Sequence, residues 1–189
     1  MKNESLNALL RRLHSLARYP ESLTLPVHGL QAEFLPELPP NVTHLILTQC
    51  NIRHLRRISS SVVFLSMSGC TVSSLQPPPC VERMFIRDCH GFKWLPEMPR
   101  SLKELSLKGL ELRELPVLNR GLEKLALSNL HHLGGELILS QTIRQLDLYD
   151  CPGLTGRLCL PDSVETVDMG KCPGIDLVSH RNLMLSLSS

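Results

Sequence analysis

The chain has 189 residues, of which 42% are hydrophobic and only 4% are aromatic, and leucine alone occurs 39 times. This length fits one domain, and the near balance of 20 basic and 18 acidic side chains excludes the strong basic excess of a dedicated nucleic-acid binder. The hydrophobic content excludes a disordered chain, and no stretch approaches the ~20 consecutive apolar residues of a membrane span.

The first predicted element is an amphipathic helix near the N-terminus. Apolar residues recur at positions 6, 9, 10, 13, 16 and 17, and Pro20 ends the pattern. The opposite side of this helix is basic and carries Arg11, Arg12, His14 and Arg18. We interpret residues 1–21 as an amphipathic helix that caps the open end of a repeat array, because such arrays require a cap. The alternative is an Arg-rich organellar targeting segment, although Glu4 counts against it.

Residues 22–189 contain a repeat of about 20 residues. Seven segments share the pattern L-x-x-L-x-L-x-x-C/L, and they begin at Val42, Val62, Val81, Leu102, Leu122, Ile143 and Val164. A degenerate earlier copy runs from Ser22 through Leu25 and Val27 to Leu30, and a partial last copy lies in Leu183–Leu187. The sequence therefore predicts a solenoid of about seven to eight repeats.

Each repeat predicts one strand followed by a return segment without a helix. The x-L-x-L-x centre alternates with period 2, so Leu45 and Leu47 point to one face while Ile46 points to the other. Stacked copies form a parallel sheet whose leucine rows make a continuous core. The return segments, among them LQPPPC, LPEMPRS and LPVLNRG, are rich in proline, which favours extended structure and turns over helix.

This pattern resembles that of leucine-rich repeat proteins over residues 22–189. The L-P-x-L/M-P returns and the short period resemble in particular the LPX-type repeats of bacterial type III secretion effectors. The resemblance implies an α/β-type solenoid with a parallel β-sheet on its concave face and a mostly extended convex side. Where that family usually has Asn, this chain has Cys50, Cys70, Cys89, Cys151 and Cys172, with Leu110 and Leu130 completing the column.

The seven cysteines predict neither a disulfide framework nor a metal site. Their number is odd, and no C-x-x-C pair is present. The five cysteines of the repeat column are expected to be buried and unreactive, whereas Cys80 and Cys159 lie outside that column. We also expect Phe92 in the core and Trp94 packed on the convex side.

We expect no catalytic activity and no cofactor. The adjacent pair His131 and His132 fits a loop, and no glycine-rich loop has phosphate-binding spacing. Asp147 and Asp168 are predicted to be stacked neighbours, and we interpret them as solvated acids on a sheet surface and not as a catalytic pair.

The outward positions of the strands predict a partner-binding surface on the concave face. Ile46, Phe64 and Phe85 form an expected apolar patch, and exposed aromatic residues flanked by arginine are typical of binding hot spots. The candidate partner-binding residues are Ile46, Phe64, Arg83, Phe85, Arg87, Lys108, Asp147 and Tyr149.

The predicted function is a non-enzymatic scaffold that binds another protein, with a secreted bacterial effector as one form of it. Two alternatives remain open: a structural subunit of a large assembly such as a ribonucleoprotein, which would meet nucleic acid only indirectly, and a substrate-recognition adaptor for a separate ubiquitin ligase. We expect neither a small-molecule substrate nor a membrane. The expected location is the cytoplasm or, after delivery, a host cytosol, with an organelle as the destination under the targeting interpretation.

Overall fold

The computed structural model describes residues 3–91, 93–178 and 185–188. The expected places of Phe92 and Leu183 therefore lie outside the described residues. The described helix and strands are, in chain order, α1 (Leu6–Leu16), β1 (Leu23–His28), β2 (Gln31–Phe34), β3 (Val42–Thr48), β4 (Asn51–Leu55), β5 (Phe64–Ser68), β6 (Ser74–Leu75), β7 (Arg83–Arg87), β8 (Glu104–Lys108), β9 (Lys124–Ser128), β10 (Gln145–Tyr149), β11 (Gly156–Cys159), β12 (Thr166–Gly170), β13 (Ile175–Val178) and β14 (Leu185–Ser188).

The strands form a parallel β-solenoid of about eight turns. One large sheet has nine strands in the order β1-β3-β5-β7-β8-β9-β10-β12-β14, so each turn adds its strand beside the strand of the previous turn. Two small parallel sheets, β2-β4-β6 and β11-β13, stack parts of the return segments. The prediction of a solenoid with few helices is confirmed, and the degenerate copy near Leu25 and Val27 forms β1 of the large sheet.

The core is a set of apolar rows that run through the stack. Leu105 and Leu107 of β8, for example, pair in register with Leu125 and Leu127 of β9, and all four are buried. The first residue of every repeat is buried as well: Val42, Val62, Val81, Leu102, Leu122, Ile143 and Val164. Because each row is extended by the next turn, the apolar face of one strand is covered only when its neighbours are in place.

Hydroxyl side chains donate hydrogen bonds to backbone carbonyl groups of the previous turn. Ser61 donates from Oγ to the carbonyl oxygen of Val42 at 2.8 Å, one turn earlier. The same bond recurs from Ser101 to Val81, from Thr142 to Leu122 and from Ser163 to Ile143. A Ser or Thr directly before the first apolar residue of a repeat therefore links consecutive turns, since a buried carbonyl without a partner is costly.

A left-handed residue follows each strand of the repeats. One residue with φ between +49° and +63° separates the strand end from the Cys/Leu column in eight successive turns: Gly29, Gln49, Gly69, Asp88, Gly109, Asn129, Asp150 and Lys171. Gly, Asn and Asp tolerate this region best. The turn directs the following side chain back under the strand, which explains why the column is buried.

Helix α1 packs against the first turn of the solenoid. Ser5 is its N-cap and accepts a hydrogen bond at Oγ from the backbone N–H of Ala8. On its inner face, Leu9 and Leu13 join the core. The guanidinium of Arg12, on the same helix, donates a hydrogen bond to the carbonyl oxygen of Pro26 in β1.

The single tryptophan lies outside the large sheet and is exposed. Trp94 is 72% exposed, so the expected packing of its ring on the convex side is wrong. Its turn lies between two proline-rich stretches, and the small sheets do not extend to it.

Candidate protein-binding surface

The register of the large sheet arranges its outward side chains in three rows, which we call the exposed sheet face. From β3 to β12, the first row is His44, Phe64, Arg83, Glu104, Lys124, Gln145 and Thr166; the second is Ile46, Ser66, Phe85, Ser106, Ala126, Asp147 and Asp168; the third is Thr48, Ser68, Arg87, Lys108, Ser128, Tyr149 and Gly170. Consecutive members lie in neighbouring strands, about 4.8 Å apart. These rows are the ones that the repeat alignment predicts.

Three rings form an aromatic cluster, which we define as His44, Phe64 and Phe85. The rings of His44 and Phe64 stack with centroids 5.3 Å apart, and those of Phe64 and Phe85 are tilted with centroids 5.4 Å apart. Such offset contacts stabilise aromatic pairs beyond their buried area. His44 is not among the partner-binding residues predicted from the sequence, although its position beside Phe64 in the first row is a signal for it.

Arg83 lies over the ring of Phe64. Its guanidinium carbon is 5.2 Å from the centroid of the Phe64 ring, because Arg83 and Phe64 are directly paired in register. This cation–π contact holds the guanidinium on the aromatic cluster. Ile46 is half-buried and pairs with Ser66, so it lies next to the cluster and makes none of its ring contacts.

A shallow cleft of about 290 Å³ opens between the two phenylalanines of the cluster. Its lining combines rings, hydroxyls and a cation: Phe64, Ser66, Met67, Ser68, Phe85 and Arg87. An apolar side chain of a partner can contact both rings there, while Ser66 and Ser68 offer hydroxyl donors and acceptors. This combination of apolar walls and a few polar groups is typical of a recognition site.

Arg87 and Lys108 place two positive charges side by side next to this cleft. They are directly paired in register on β7 and β8, and no ion pair to either is found among the described residues. Like charges directly opposite each other destabilise a sheet. An anionic group of a partner relieves that repulsion, so this end of the exposed sheet face favours acidic ligands.

The far end of the exposed sheet face is acidic. Asp147 pairs in register with Asp168, and Gln145 donates from Nε2 to Asp147 Oδ2 at 3.0 Å. Burial, together with the charge of Asp168, raises the pKa of the Asp147 carboxyl despite the Gln145 bond. Tyr149 ends the same strand, 42% exposed, with the Lys171 ammonium 5.4 Å from its ring centroid.

The structure does not bring all eight candidate residues into one site. Phe64, Arg83, Phe85 and Arg87 lie together on β5 and β7, with Lys108 on the next strand. Asp147 and Tyr149 belong to β10, three strands beyond β7, which corresponds to about 14 Å. The exposed sheet face therefore has a basic aromatic end and an acidic end.

The five cysteines of the repeat column are buried in the described structure. Each thiol donates to the carbonyl oxygen two residues earlier, at 3.2 to 3.5 Å: Cys50, Cys70, Cys89, Cys151 and Cys172. Burial raises the pKa of Cys151 to about 11. The pKa of Cys50 is also raised, by contact with the Cys70 thiol and by burial. Among the described residues, no group of three or more metal-ligating side chains is placed to hold an ion.

We expect a thiol reagent to label only Cys80 and Cys159 in the native protein, since both are exposed and the column is not. Contact with the Cys70 thiol lowers the pKa of Cys89, but a side chain 1% exposed still cannot be reached without unfolding. Mass spectrometry after brief labelling identifies the modified residues. Fast labelling of all seven would contradict the buried column, and labelling in denaturant serves as the control.

Phe34 and His54 form a ring pair outside the large sheet. Phe34 in β2 is 55% exposed and its ring centroid is 5.4 Å from that of His54 in β4. His54 Nδ1 is 2.9 Å from the Ser74 hydroxyl, which also accepts from Arg56 Nε. The sequence analysis missed this pair, because no row of the large sheet contains it.

No protein-family model matches this chain, and no curated protein matches it either. Across the part of the chain that the structure describes, no helix has the length and apolar character needed to cross a bilayer. A function is therefore inferred from the geometry of the surface.

Proposed function

We propose that this chain is a leucine-rich repeat protein that binds a partner protein on its exposed sheet face and carries out no reaction itself. The observation that carries this proposal is the placement of the aromatic residues. Among the described residues, every buried apolar side chain is aliphatic or contains sulfur, and no Phe, Tyr or Trp is buried. Three of the six described aromatic residues, Phe64, Phe85 and Tyr149, lie on the exposed sheet face. Clustered exposed rings such as Phe64 and Phe85 are typical of a binding hot spot.

The leucine-rich repeat assignment is supported by the order of residue types and backbone conformations in each turn. A strand with two buried apolar residues is followed by one left-handed residue and then by a buried Cys or Leu. This order recurs with the 19–21-residue interval of the pattern. The proline-rich returns contribute no described helix, as the LPX-type repeats imply.

The proposal includes a capping role for α1. The helix covers the first turn with Leu9 and Leu13, and Asn41 donates from Nδ2 to the carbonyl oxygen of Leu16 at 2.9 Å. Glu4, which argues against a targeting segment in the sequence, forms an ion pair with Arg12 at 3.2 Å. A cap is needed because the apolar side chains of a terminal turn have no neighbouring turn on their outer side to cover them.

The partner that fits best offers an apolar side chain beside a carboxylate. The apolar group contacts Phe64 and Phe85, and the carboxylate lies near Arg87 and Lys108. Truncation of a buried interface aromatic typically costs ~2 kcal/mol or more, whereas a charge at the rim mainly changes the association rate.

We expect Phe64→Ala/Phe85→Ala to weaken partner binding by roughly 30-fold or more, because the double change removes both walls of the cleft. The partner is first isolated by affinity purification and mass spectrometry, and the dissociation constant is then measured by calorimetry. The fold should be retained, since both rings are outside the Leu core.

Two controls accompany this measurement. Thr166→Ala changes the first row of the same face on β12, four strands away from β7, and should leave affinity unchanged. Lys108→Ala should mainly alter the salt dependence of association. Unchanged binding by a folded Phe64→Ala/Phe85→Ala variant would reject the exposed sheet face as the binding surface.

A further inference from the structure

An apolar groove lies on the return segments, away from the exposed sheet face. Residues 115–118 and 136–141, together with Arg120, enclose a volume of about 650 Å³. Val117 is 84% exposed and Ile138 is 80% exposed, the two most exposed large hydrophobic side chains among the described residues. Two such residues side by side are unusual on a monomeric surface, where apolar residues are normally scattered singly.

The repeat alignment shows that this apolar pair follows four turns with a polar residue at the same position, and that the next turn has Cys159 there. Val117 and Ile138 each lie five residues before the first apolar residue of the next repeat, Leu122 or Ile143. The same position in the four preceding turns holds the exposed polar residues Glu37, Arg57, Gln76 and Glu97. The fold therefore does not require an apolar residue at this position, and a docking role explains why two are present.

Opposite charges mark the two ends of the groove. The two segments run side by side with an offset of 21 residues, as the hydrogen bond from the Gly134 N–H to the Arg113 carbonyl oxygen shows. Glu136 is thus level with Leu115 at the start of the groove, and Arg120 is level with Gln141 at its end. Within the described residues, neither the Glu136 carboxylate nor the Arg120 guanidinium has an ion-pair partner.

We propose that this groove is an interface between two copies of the chain, related by a two-fold axis. An axis in the plane of the interface, midway between Glu136 and Arg120, places each of these charges against the opposite charge of the other copy. The same axis brings Val117 and Ile138 of the two copies together at the centre. A surface with an apolar centre and one charge of each sign at its ends is self-complementary, which is what a two-fold interface requires.

A second copy fits this groove better than an unrelated protein for one reason. Each copy supplies both the acid and the base that the other copy needs, so the contact leaves no charge unpaired. The interface contains no residue of the large sheet, so dimerisation leaves the exposed sheet face of both copies open. The dimer would present two partner-binding surfaces.

Sedimentation velocity over a wide concentration range tests this arrangement. The full chain should dimerise reversibly, and Val117→Asp/Ile138→Asp should raise the dissociation constant by more than roughly 100-fold, because it places four carboxylates in the interface. Melting temperatures measured at concentrations where both proteins are monomeric should be unchanged, since both side chains are exposed in the monomer. Gln76→Asp, at the same position of a polar turn, is the matched control and should leave dimerisation unchanged.

Charge reversal then tests the pairing itself. Arg120→Glu alone and Glu136→Arg alone should each weaken the dimer by about ten-fold, because the two-fold axis repeats every contact twice. The double variant Arg120→Glu/Glu136→Arg restores opposite charges and should restore the dimer. A monomer at every concentration, a dimer insensitive to Val117→Asp/Ile138→Asp, or a double variant as weak as the single ones would each overturn the proposal.

Discussion

Replacing Leu9 and Leu13 with alanine should lower the free energy of unfolding by about 4 kcal/mol or more, since each buried Leu→Ala change typically costs 2–5 kcal/mol. Both side chains are buried between α1 and the first turn. Their loss opens the end of the apolar rows, and the exposed rows of separate molecules can then associate. We expect a lower melting temperature in calorimetry and aggregation on heating.

The matched control for the cap is on the other side of the same helix. Leu6 and Leu10 are 40% and 46% exposed, so Leu6→Ala/Leu10→Ala should change the melting temperature little. Deleting residues 6–17 should reproduce the effect of Leu9→Ala/Leu13→Ala or exceed it. An unchanged melting temperature for the deletion variant would instead support a targeting segment that the solenoid does not need.

Leu105→Ala should destabilise the protein by about 2–5 kcal/mol, a large part of the 5–15 kcal/mol that stabilises an ordinary domain. Leu105 is fully buried in β8 and pairs in register with Met84 on one side and Leu125 on the other. The cavity therefore weakens both interfaces of one central turn. In a solenoid, stability is close to a sum of turn and interface contributions.

Leu105→Ala should also reduce the cooperativity of unfolding. Weakening a central turn separates the N-terminal and C-terminal turns, so denaturant curves followed by fluorescence and by circular dichroism should cease to coincide. Ser106→Ala, the next residue on the opposite face of β8, is the control and should leave the curves superimposed. A shift of less than about 1 kcal/mol for Leu105→Ala would contradict a continuous core through this turn.

The repeat pattern was sufficient to predict the strand register. Because the interval between repeats is nearly constant and side chains alternate with period 2, aligning the seven segments also aligns the strands. The rows that contain Phe64, Phe85 and Arg87 follow directly from that alignment, and so does the burial of Cys50 and its column. The helical stripe of residues 6–17 likewise anticipates α1.

The alignment predicts which side chains share a row, but it does not determine how neighbouring side chains in a row contact each other. The register puts Arg83 directly beside Phe64, and only the structure shows that its guanidinium lies over that ring. The register likewise puts His44 beside Phe64, and only the structure shows that the two rings stack. Both contacts depend on rotamers, which a repeat alignment does not contain.

The sequence by itself determined the repeats, the parallel sheet and the side chains that its rows present, since these depend on local alternation and on a regular interval. Only the tertiary structure decided how the return segments pack. These segments have no alternating pattern, so the groove between residues 115–118 and 136–141 and the exposure of Val117, Ile138 and Trp94 depend on which neighbouring turn covers each residue. A row is fixed by sequence spacing, whereas a groove between irregular segments is fixed by the stacking of whole turns.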